Sequence, residues 1–291
     1  MQLSQWLKAA TQRIDRLDAR LLVQEATGLT HAALLAQPER ELTEVQQARL
    51  DAWVMRRAAG EPLAYLVGWA EFRGLRLTVS SAVLVPRPET EELVERVLLL
   101  MTDPTSEANS RNSAVTAATV SVLDLGTGSG AIPLALKHVR PGWQVSAVDV
   151  SADALAVAQA NAARLALDVS FHESSWYGNL PAGLQVDCVV SNPPYIPNGD
   201  PHLQGDGLRY EPSLALTDFA DGLSCIRHIV GGAPSVLRAG GWLIMEHGYD
   251  QAAAVRQLLA EGGFGDVQSW RDLSGIERMT GGRAPNQLIG A

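Results

Sequence analysis

Four consecutive residues, Asn192-Pro193-Pro194-Tyr195, combine the groups needed to grip a planar amino group. The two prolines fix φ twice and remove two N–H donors, so the turn is stiff and its backbone carbonyls stay available as acceptors. Asn192 adds a side-chain carbonyl oxygen, and Tyr195 adds a flat apolar face. A rigid pair of acceptors beside an aromatic wall suits an NH2 group. The apolar run Val186-Asp187-Cys188-Val189-Val190-Ser191 precedes the turn and reads as a buried strand that ends at it.

A second constellation lies upstream. Val122-Leu123-Asp124-Leu125 reads as a strand, and Gly126-Thr127-Gly128-Ser129-Gly130 as a glycine-rich turn into a helix. Glycine lets a ligand approach the backbone and tolerates φ > 0. Asp149 ends the next strand, 19 residues past Gly130, where a carboxylate accepts from ribose hydroxyls in nucleotide-binding α/β folds. The spacing leaves the cofactor open. Gly126-x-Gly128-x-x-Ala131 satisfies a dinucleotide fingerprint with its permitted final alanine. An acidic residue two before the first glycine, with glycine at every second position, instead suits S-adenosyl-L-methionine, whose ammonium Asp124 would help hold. Trp176, after the third strand, reads either as a cover for an adenine ring or as a core aromatic.

Positioning these groups requires a parallel sheet. From residue 120 onward, strands near 120–125, 144–149, 168–172, 186–191 and 241–246 alternate with helices near 131–139, 152–165, 222–238 and 250–261. That alternation is the signature of a doubly wound α/β domain, closed here by short strands near 264–270 and 276–281. Residues 3–60 read instead as several short helices, and Thr43-x-x-Gln46 fits a capping box. Arg13, Arg16 and Arg20 share one face there, interrupted by Asp15 and Asp18, and are expected to be solvated. Phe72 to Val85 has the alternation of a hairpin, and Glu89 to Leu100 opens a helix with acidic residues at its positive end. The expected organisation is a helical recognition domain over 1–70, a hairpin linker over 71–85 and a catalytic domain over 86–291. The segment 102–119 is poor in large apolar groups and reads as an insertion.

Composition bounds the rest. The 291 residues are 46% hydrophobic and 19% charged, enough to bury a substantial core. No apolar leader follows Met1-Gln2-Leu3 and no run approaches the ~20 residues of a membrane span, so a soluble cytoplasmic protein without membrane partners is expected. Cys188 and Cys225 lack paired spacing and read as buried free thiols of a reducing compartment. The six histidines share no ligand spacing with Cys or Glu, which predicts no metal. His202 is the best candidate for a base and better fits loop ordering; His247 reads as structural. Net charge is −9, and residues 1–75 balance nine basic against nine acidic side chains. Stable nucleic-acid binding rests on clustered Lys and Arg, so this distribution weighs against it.

Together Asp124-x-Gly126-x-Gly128-x-Gly130, Asp149 and Asn192-Pro193-Pro194-Tyr195 resemble class I S-adenosylmethionine-dependent methyltransferases that modify planar amino groups. Within these, the chain resembles the release factor glutamine methyltransferases, the HemK/PrmC-like family. Leu84-Val85-Pro86-Arg87-Pro88-Glu89-Thr90-Glu91, Asp200-Pro201-His202-Leu203, Arg209-Tyr210-Glu211-Pro212, Glu246-His247-Gly248 and Glu277-Arg278 carry the resemblance further, over about residues 60–283. It implies a seven-stranded Rossmann-like domain behind a small all-α domain. It also implies a monomer that methylates the N5 side-chain amide of the glutamine in the Gly-Gly-Gln tip of class I peptide chain release factors. By the same resemblance, Asp124, Gly126, Thr127, Gly128, Ser129, Gly130, Asp149, Trp176 and Asn192 would bind the cofactor or bridge to it. Asn192, Pro193, Pro194 and Tyr195 would hold the glutamine. Ser174-Ser175 departs from the acidic residue expected just before the tryptophan, with Glu173 as the nearest substitute. A nucleic-acid adenine N6-methyltransferase is the alternative, since it presents a similar amino group to such a turn. A nicotinamide-dependent oxidoreductase would leave that turn unexplained.

Overall fold

The computed structural model describes residues 1–101, 119–205 and 207–285; the insertion expected at 102–119, Thr119 excepted, lies outside the described residues. The chain divides into two compact units, one of residues 1–69 with 204–210 and one holding the remainder.

The first unit is helical: α1 (Leu3–Ala10), α2 (Arg16–Thr27), α3 (His31–Ala36), α4 (Glu44–Ala58) and α5 (Leu63–Val67). Apolar residues at helical spacing, among them Leu3, Trp6, Leu22, Leu50 and Trp53, meet in one core. Local chemistry sets the ends. Asp15 accepts from the Leu17 N–H to open α2, and Gly28, with φ 70°, closes it. Thr43 and Gln46 form the reciprocal capping box that opens α4. Arg13 and Arg16 are exposed and Arg20 is half-buried. Segment 204–210, though it follows the Asn-Pro-Pro-Tyr turn, belongs to this unit. Both the Tyr210 hydroxyl and the Arg209 guanidinium donate to the Ala59 carbonyl.

The second unit holds, but for Trp69 at its start, a hairpin of β1 (Trp69–Phe72) and β2 (Leu75–Thr78), and a seven-stranded sheet of order β5-β4-β3-β6-β7-β9-β8. Its strands are β3 (Ser121–Leu125), β4 (Gln144–Asp149), β5 (Ser170–Glu173), β6 (Val186–Ser191), β7 (Leu237–Glu246), β8 (Gly265–Arg271) and β9 (Glu277–Arg283). The pairings from β5 through β7 are parallel, whereas β9 runs antiparallel between β7 and β8. The sheet is therefore mixed: the five strands expected to alternate with helices are parallel, and the two short closing strands add the antiparallel pairings. A short connection at 272–276 permits only the antiparallel return.

Around it lie α6 (Pro88–Leu100), α7 (Ala131–Val139), α8 (Ala152–Leu165), the single turn α9 (Ser213–Leu216), α10 (Ser224–Gly232) and α11 (Ala252–Glu261). Central strands bury both faces, so successive residues feed two different cores. Val122, Cys188, Val190, Trp242 and Ile244 point to one. Leu123, Leu125, Val189, Leu243 and Met245 point to the other, which α10 and α11 complete.

Two expected elements differ. The helix expected over 222–238 stops at Gly232, and a 3-10 turn (Ala233–Ser235) leads into β7 at Leu237. Pro234 supplies no N–H to continue the helical ladder, and Gly232 packs under the Tyr177 ring where a Cβ has no room. Residues 71–85 are more than a connection. Phe72, Leu75 and Leu77 are fully or almost fully buried in the core of the second unit. The Arg73-Gly74 loop, with both φ positive, matches the twist of a two-residue hairpin.

Candidate functional site

Both expected turns sit at the carboxyl ends of neighbouring strands. From β3 the chain crosses to β4 on one side, while β6 joins β3 on the other, so a crevice opens between them. The register aligns Asp124 with Val190 and Leu125 with Ser191. The buried Ser191 hydroxyl donates to the Leu125 carbonyl at 2.7 Å, tying the end of one strand to the other.

The glycine turn hangs from β4, since the Gly126 and Thr127 N–H groups both donate to the Val148 carbonyl at 2.9 Å. Gly126, with φ 75°, also lies beneath the Trp176 ring, whose edge would stand 3.8 Å from any Cβ there. Gly130 has a packing reason, because a Cβ would meet Leu134 at 3.0 Å and Ala158 at 3.2 Å. From below, Asn161 of α8 braces the turn. Its amide donates to the Ser129 and Thr78 carbonyls at 3.0 and 2.9 Å, and its oxygen accepts from the Thr78 N–H at 2.7 Å.

A cavity of about 330 Å³ opens over these turns. Of the residues expected from sequence, Gly126, Gly128, Asp149, Trp176, Asn192 and Pro194 line it. Thr127, Ser129 and Gly130 build the turn without facing the cavity, and Pro193 and Tyr195 lie outside its lining. Asp149 is held by the Gly128 and Ser151 N–H groups, one on each carboxylate oxygen at 2.9 Å. Each oxygen keeps a lone pair for a hydroxyl donor. Burial raises the Asp149 pKa, and the bonds from Ser151 and Gly128 oppose that rise.

Asp124 stands back from the cavity. It lies fully buried outside the cavity lining, and neither carboxylate oxygen has a hydrogen-bond partner. Burial, reinforced by repulsion from Asp149, pushes its pKa to about 7. Two carboxylates that repel one another beneath a nucleoside-sized cavity fit a cationic nucleoside ligand, whose charge would relieve both. Trp176 is held in the left-handed region at φ 52°, with its carbonyl bonded by Ser174 Oγ at 3.1 Å. Ser174 and Ser175 line the cavity; exposed Glu173 does not, so it cannot replace the missing acid there.

Sequence reading missed the apolar mouth. Val83, Leu84, Leu214 and Phe219 line the cavity, and Phe219, like Trp176, has a positive φ, of 56°. Cys225 was expected in the core but is half-buried in the cavity wall, while Cys188 is fully buried as expected. Burial raises the Cys225 pKa to about 11, so its thiol stays protonated at neutral pH.

The Asn-Pro-Pro-Tyr turn is fixed at both ends. Asn192 Nδ2 donates to Thr90 Oγ1 at 2.9 Å, which turns its oxygen away from Thr90. Thr90 Oγ1 in turn donates to Glu246 Oε2 at 2.7 Å. At the other end, Gln251 Nε2 donates to the Tyr195 carbonyl at 3.0 Å, and the Tyr195 hydroxyl lies 3.4 Å from Glu246 Oε1. Glu211, buried, accepts from the Val85 N–H at 2.9 Å and from Arg87 at 2.5 Å, which explains two of the quoted motifs at once. Thr90 and Glu246 also lie in quoted motifs but received no role. The usable signal was a carboxylate ending an unbroken buried run, Trp242-Leu243-Ile244-Met245-Glu246.

The histidines take structural positions. His247 is fully buried between the Gly248 carbonyl and the Thr280 hydroxyl, and burial lowers its pKa. His202 is exposed and pairs with Asp200 at 2.7 Å. Among the described residues no cluster of metal-ligating groups occurs and no helix is long and apolar enough to cross a membrane.

Residues 1–68 match the PrmC N-terminal domain, and residues 108–204 match the methyltransferase small domain. A release factor glutamine methyltransferase of Neisseria gonorrhoeae is 45% identical over 289 residues, covering 99% of this chain and all of its own length. Proteins of the same name from Burkholderia pseudomallei and Escherichia coli are 47% and 41% identical, covering 94% and 97% of the chain and 93% and 99% of their own. Among solved structures, the hMettl16 catalytic domain bound to a 3'UTR hairpin aligns with TM-score 0.57 at 14% identity, over 93% of this chain and 91% of that one. A T. Thermophilus 16S rRNA methyltransferase in complex with AdoMet and guanosine aligns with TM-score 0.51 at 20% identity, over 74% and 49%. These two structures share the fold.

Proposed function

The chain belongs to the release factor glutamine methyltransferase family, and on that premise we propose that it methylates the N5 side-chain amide of the glutamine in the Gly-Gly-Gln motif of class I peptide chain release factors. S-adenosyl-L-methionine, when bound, supplies an electrophilic methyl group. Asp149 would accept from its ribose, Trp176 and the Gly126–Gly128 backbone would bound its nucleoside, and Asp124 would attract its cationic end from beneath the turn.

The observation that carries the reading is the orientation of Asn192, whose NH2 is engaged by Thr90 and whose oxygen is thereby directed elsewhere, at the edge of the cavity. An amide nitrogen is a poor nucleophile because its lone pair is delocalised. Asn192 Oδ1 and the Pro193 carbonyl each accept one N–H of the substrate amide. Two fixed acceptors set the nitrogen's direction and stabilise the positive charge that develops on it. Positioning of this kind is worth up to about 7–11 kcal/mol. Tyr195, anchored through its carbonyl and its hydroxyl, packs on the amide plane and excludes water. The proton leaves the nitrogen after transfer, so no side-chain base is needed. An adenine amino group would satisfy the same acceptors, but the names of the full-length relatives and the net charge of −9 favour glutamine. The test is mass spectrometry of a release factor's Gly-Gly-Gln peptide after incubation with enzyme and S-adenosyl-L-methionine. A gain of one methyl on the glutamine side chain is expected; methylation of oligonucleotides instead would overturn the assignment.

A further inference from the structure

We propose that Glu246, acting through the Thr90 hydroxyl, is a positioning residue that determines which end of the Asn192 side chain faces the reacting amide. The inference rests on the acceptor role given to Asn192 above and adds the device that enforces it.

The three groups come from three elements: Thr90 from the first turn of α6, Asn192 from the end of β6 and Glu246 from the end of β7. Thr90 and Glu246 are buried, at 4% and 2% exposure, so water does not compete for their bonds. Thr90 Oγ1 stands 2.7 Å from Glu246 Oε2 and 2.9 Å from Asn192 Nδ2. A hydroxyl has a single proton, and a carboxylate only accepts. The Thr90 proton therefore goes to Glu246, and Thr90 is left to accept from Asn192. Only the NH2 end of Asn192 can supply that bond, so its oxygen points away from Thr90.

The two ends of an Asn side chain have nearly the same shape, so hydrogen bonds alone decide between them. If Glu246 were protonated at Oε2, it would donate to Thr90. Thr90 would then be free to donate to Asn192 Oδ1, and the flipped side chain would present NH2 to an amide that also offers N–H. Donor would face donor. The second Glu246 oxygen meets the Tyr195 hydroxyl at 3.4 Å, so one buried carboxylate serves both ends of the turn.

The charged and titratable groups that act on Glu246 are Glu89 from α6, Tyr195 from the turn and Arg278 from β9. Burial and then the Glu89 charge raise the Glu246 pKa, while the Thr90 and Tyr195 bonds and Arg278 lower it, and the balance lies at about 7. The orientation of Asn192 should therefore follow pH: correct above that value and lost below it.

The experiment measures kcat and KM for a release factor, and cofactor affinity, in Thr90→Val, Thr90→Ser and Glu246→Gln enzymes across pH 6 to 9. Wild type serves as the reference, so its failure to methylate would count against the function, whereas variants that behave like it count only against the relay. Thr90→Val should lose about 10²-fold in kcat, with KM and cofactor affinity within about twofold, the cost of one lost preorganised group. Thr90→Ser, which keeps the hydroxyl, should restore most of the rate. Wild type should lose kcat as pH falls through about 7, and Glu246→Gln should lack that limb. A Thr90→Val enzyme that keeps more than about a third of wild-type kcat overturns the relay. So does an acid limb that persists unchanged in Glu246→Gln.

Discussion

Two side chains divide the chemistry at the residue scale, and each has its own signature. In the proposed mechanism Asn192 would reach substrate through its oxygen, while its NH2 is held by Thr90. Asn192→Ala should lower kcat by about 10²–10³-fold and leave cofactor affinity within about twofold, as calorimetry and single-turnover rates would show. A variant retaining more than about a tenth of the rate would contradict the two-acceptor reading. Asp124 behaves differently, because it is buried without a hydrogen-bond partner and its pKa is raised by burial to about 7. On the proposed role its ionised form would attract the cation, so cofactor affinity should weaken as pH falls from 8 to 6. In Asp124→Asn the affinity should be about tenfold lower than wild type at pH 8 and flat over the same range, so that the two proteins converge toward pH 6. Parallel pH curves for the two proteins would rule this out.

At the element scale, a few buried polar bonds hold loops that have no regular structure of their own. Glu211 joins the Leu84–Pro88 segment to the end of the 200–212 loop by accepting from Val85 and Arg87. With Glu211 at 2% and Arg87 at 32% side-chain exposure, the pair is half-shielded from solvent. Glu211→Ala would leave Arg87 and the Val85 N–H without their acceptor, and a loss of about 3 kcal/mol is expected by thermal or urea unfolding. Asn161 does the same for the hairpin and the glycine turn, through bonds to Thr78 and Ser129. Its replacement by Ala should cost about 1–3 kcal/mol and loosen the cofactor site as well. Unchanged cofactor affinity in a destabilised Asn161→Ala protein would show that the brace does not reach the turn.

For the whole molecule, the apolar cores stabilise the fold, and the pH dependence of that stability is set in part by buried carboxylates. Leu123 has no exposed surface, and Leu123→Ala should cost about 2–5 kcal/mol. Asp124 and Glu246 both have pKa values near 7 in the folded chain, against ordinary values of 3.8 and 4.5. Between those limits the folded chain keeps protons that the unfolded chain has released. Their stabilising contribution is complete below about pH 4 and is lost as pH rises through 7. The melting temperature of wild type relative to the double variant Asp124→Asn/Glu246→Gln should therefore decline from pH 5 to 8. A difference that stays constant over that range would show that the two groups do not titrate as their burial implies.

Much of this architecture was legible because the signals are local. Glycines at alternate positions, two prolines after an apolar run and apolar spacing at the helical period each act within a few residues. They placed both functional turns at strand ends and assigned most elements, and the capping box at Thr43 was readable for the same reason. The place of β9 between β7 and β8 and the packing of Gly232 under Tyr177 were not, because strand order and ring contacts depend on distant partners. The relay shows the limit most clearly. Thr90 lies 102 residues from Asn192 and 156 from Glu246, and no local pattern encodes their meeting. The sequence by itself determined which groups could accept an amide or face a cofactor. Only the order and register of the strands decided that a buried carboxylate would stand behind Asn192, that Asp124 would lie beneath the turn, and which end of the Asn192 amide would be turned from Thr90. Hydrogen-bond direction depends on what surrounds a side chain, and those surroundings exist only in the folded chain.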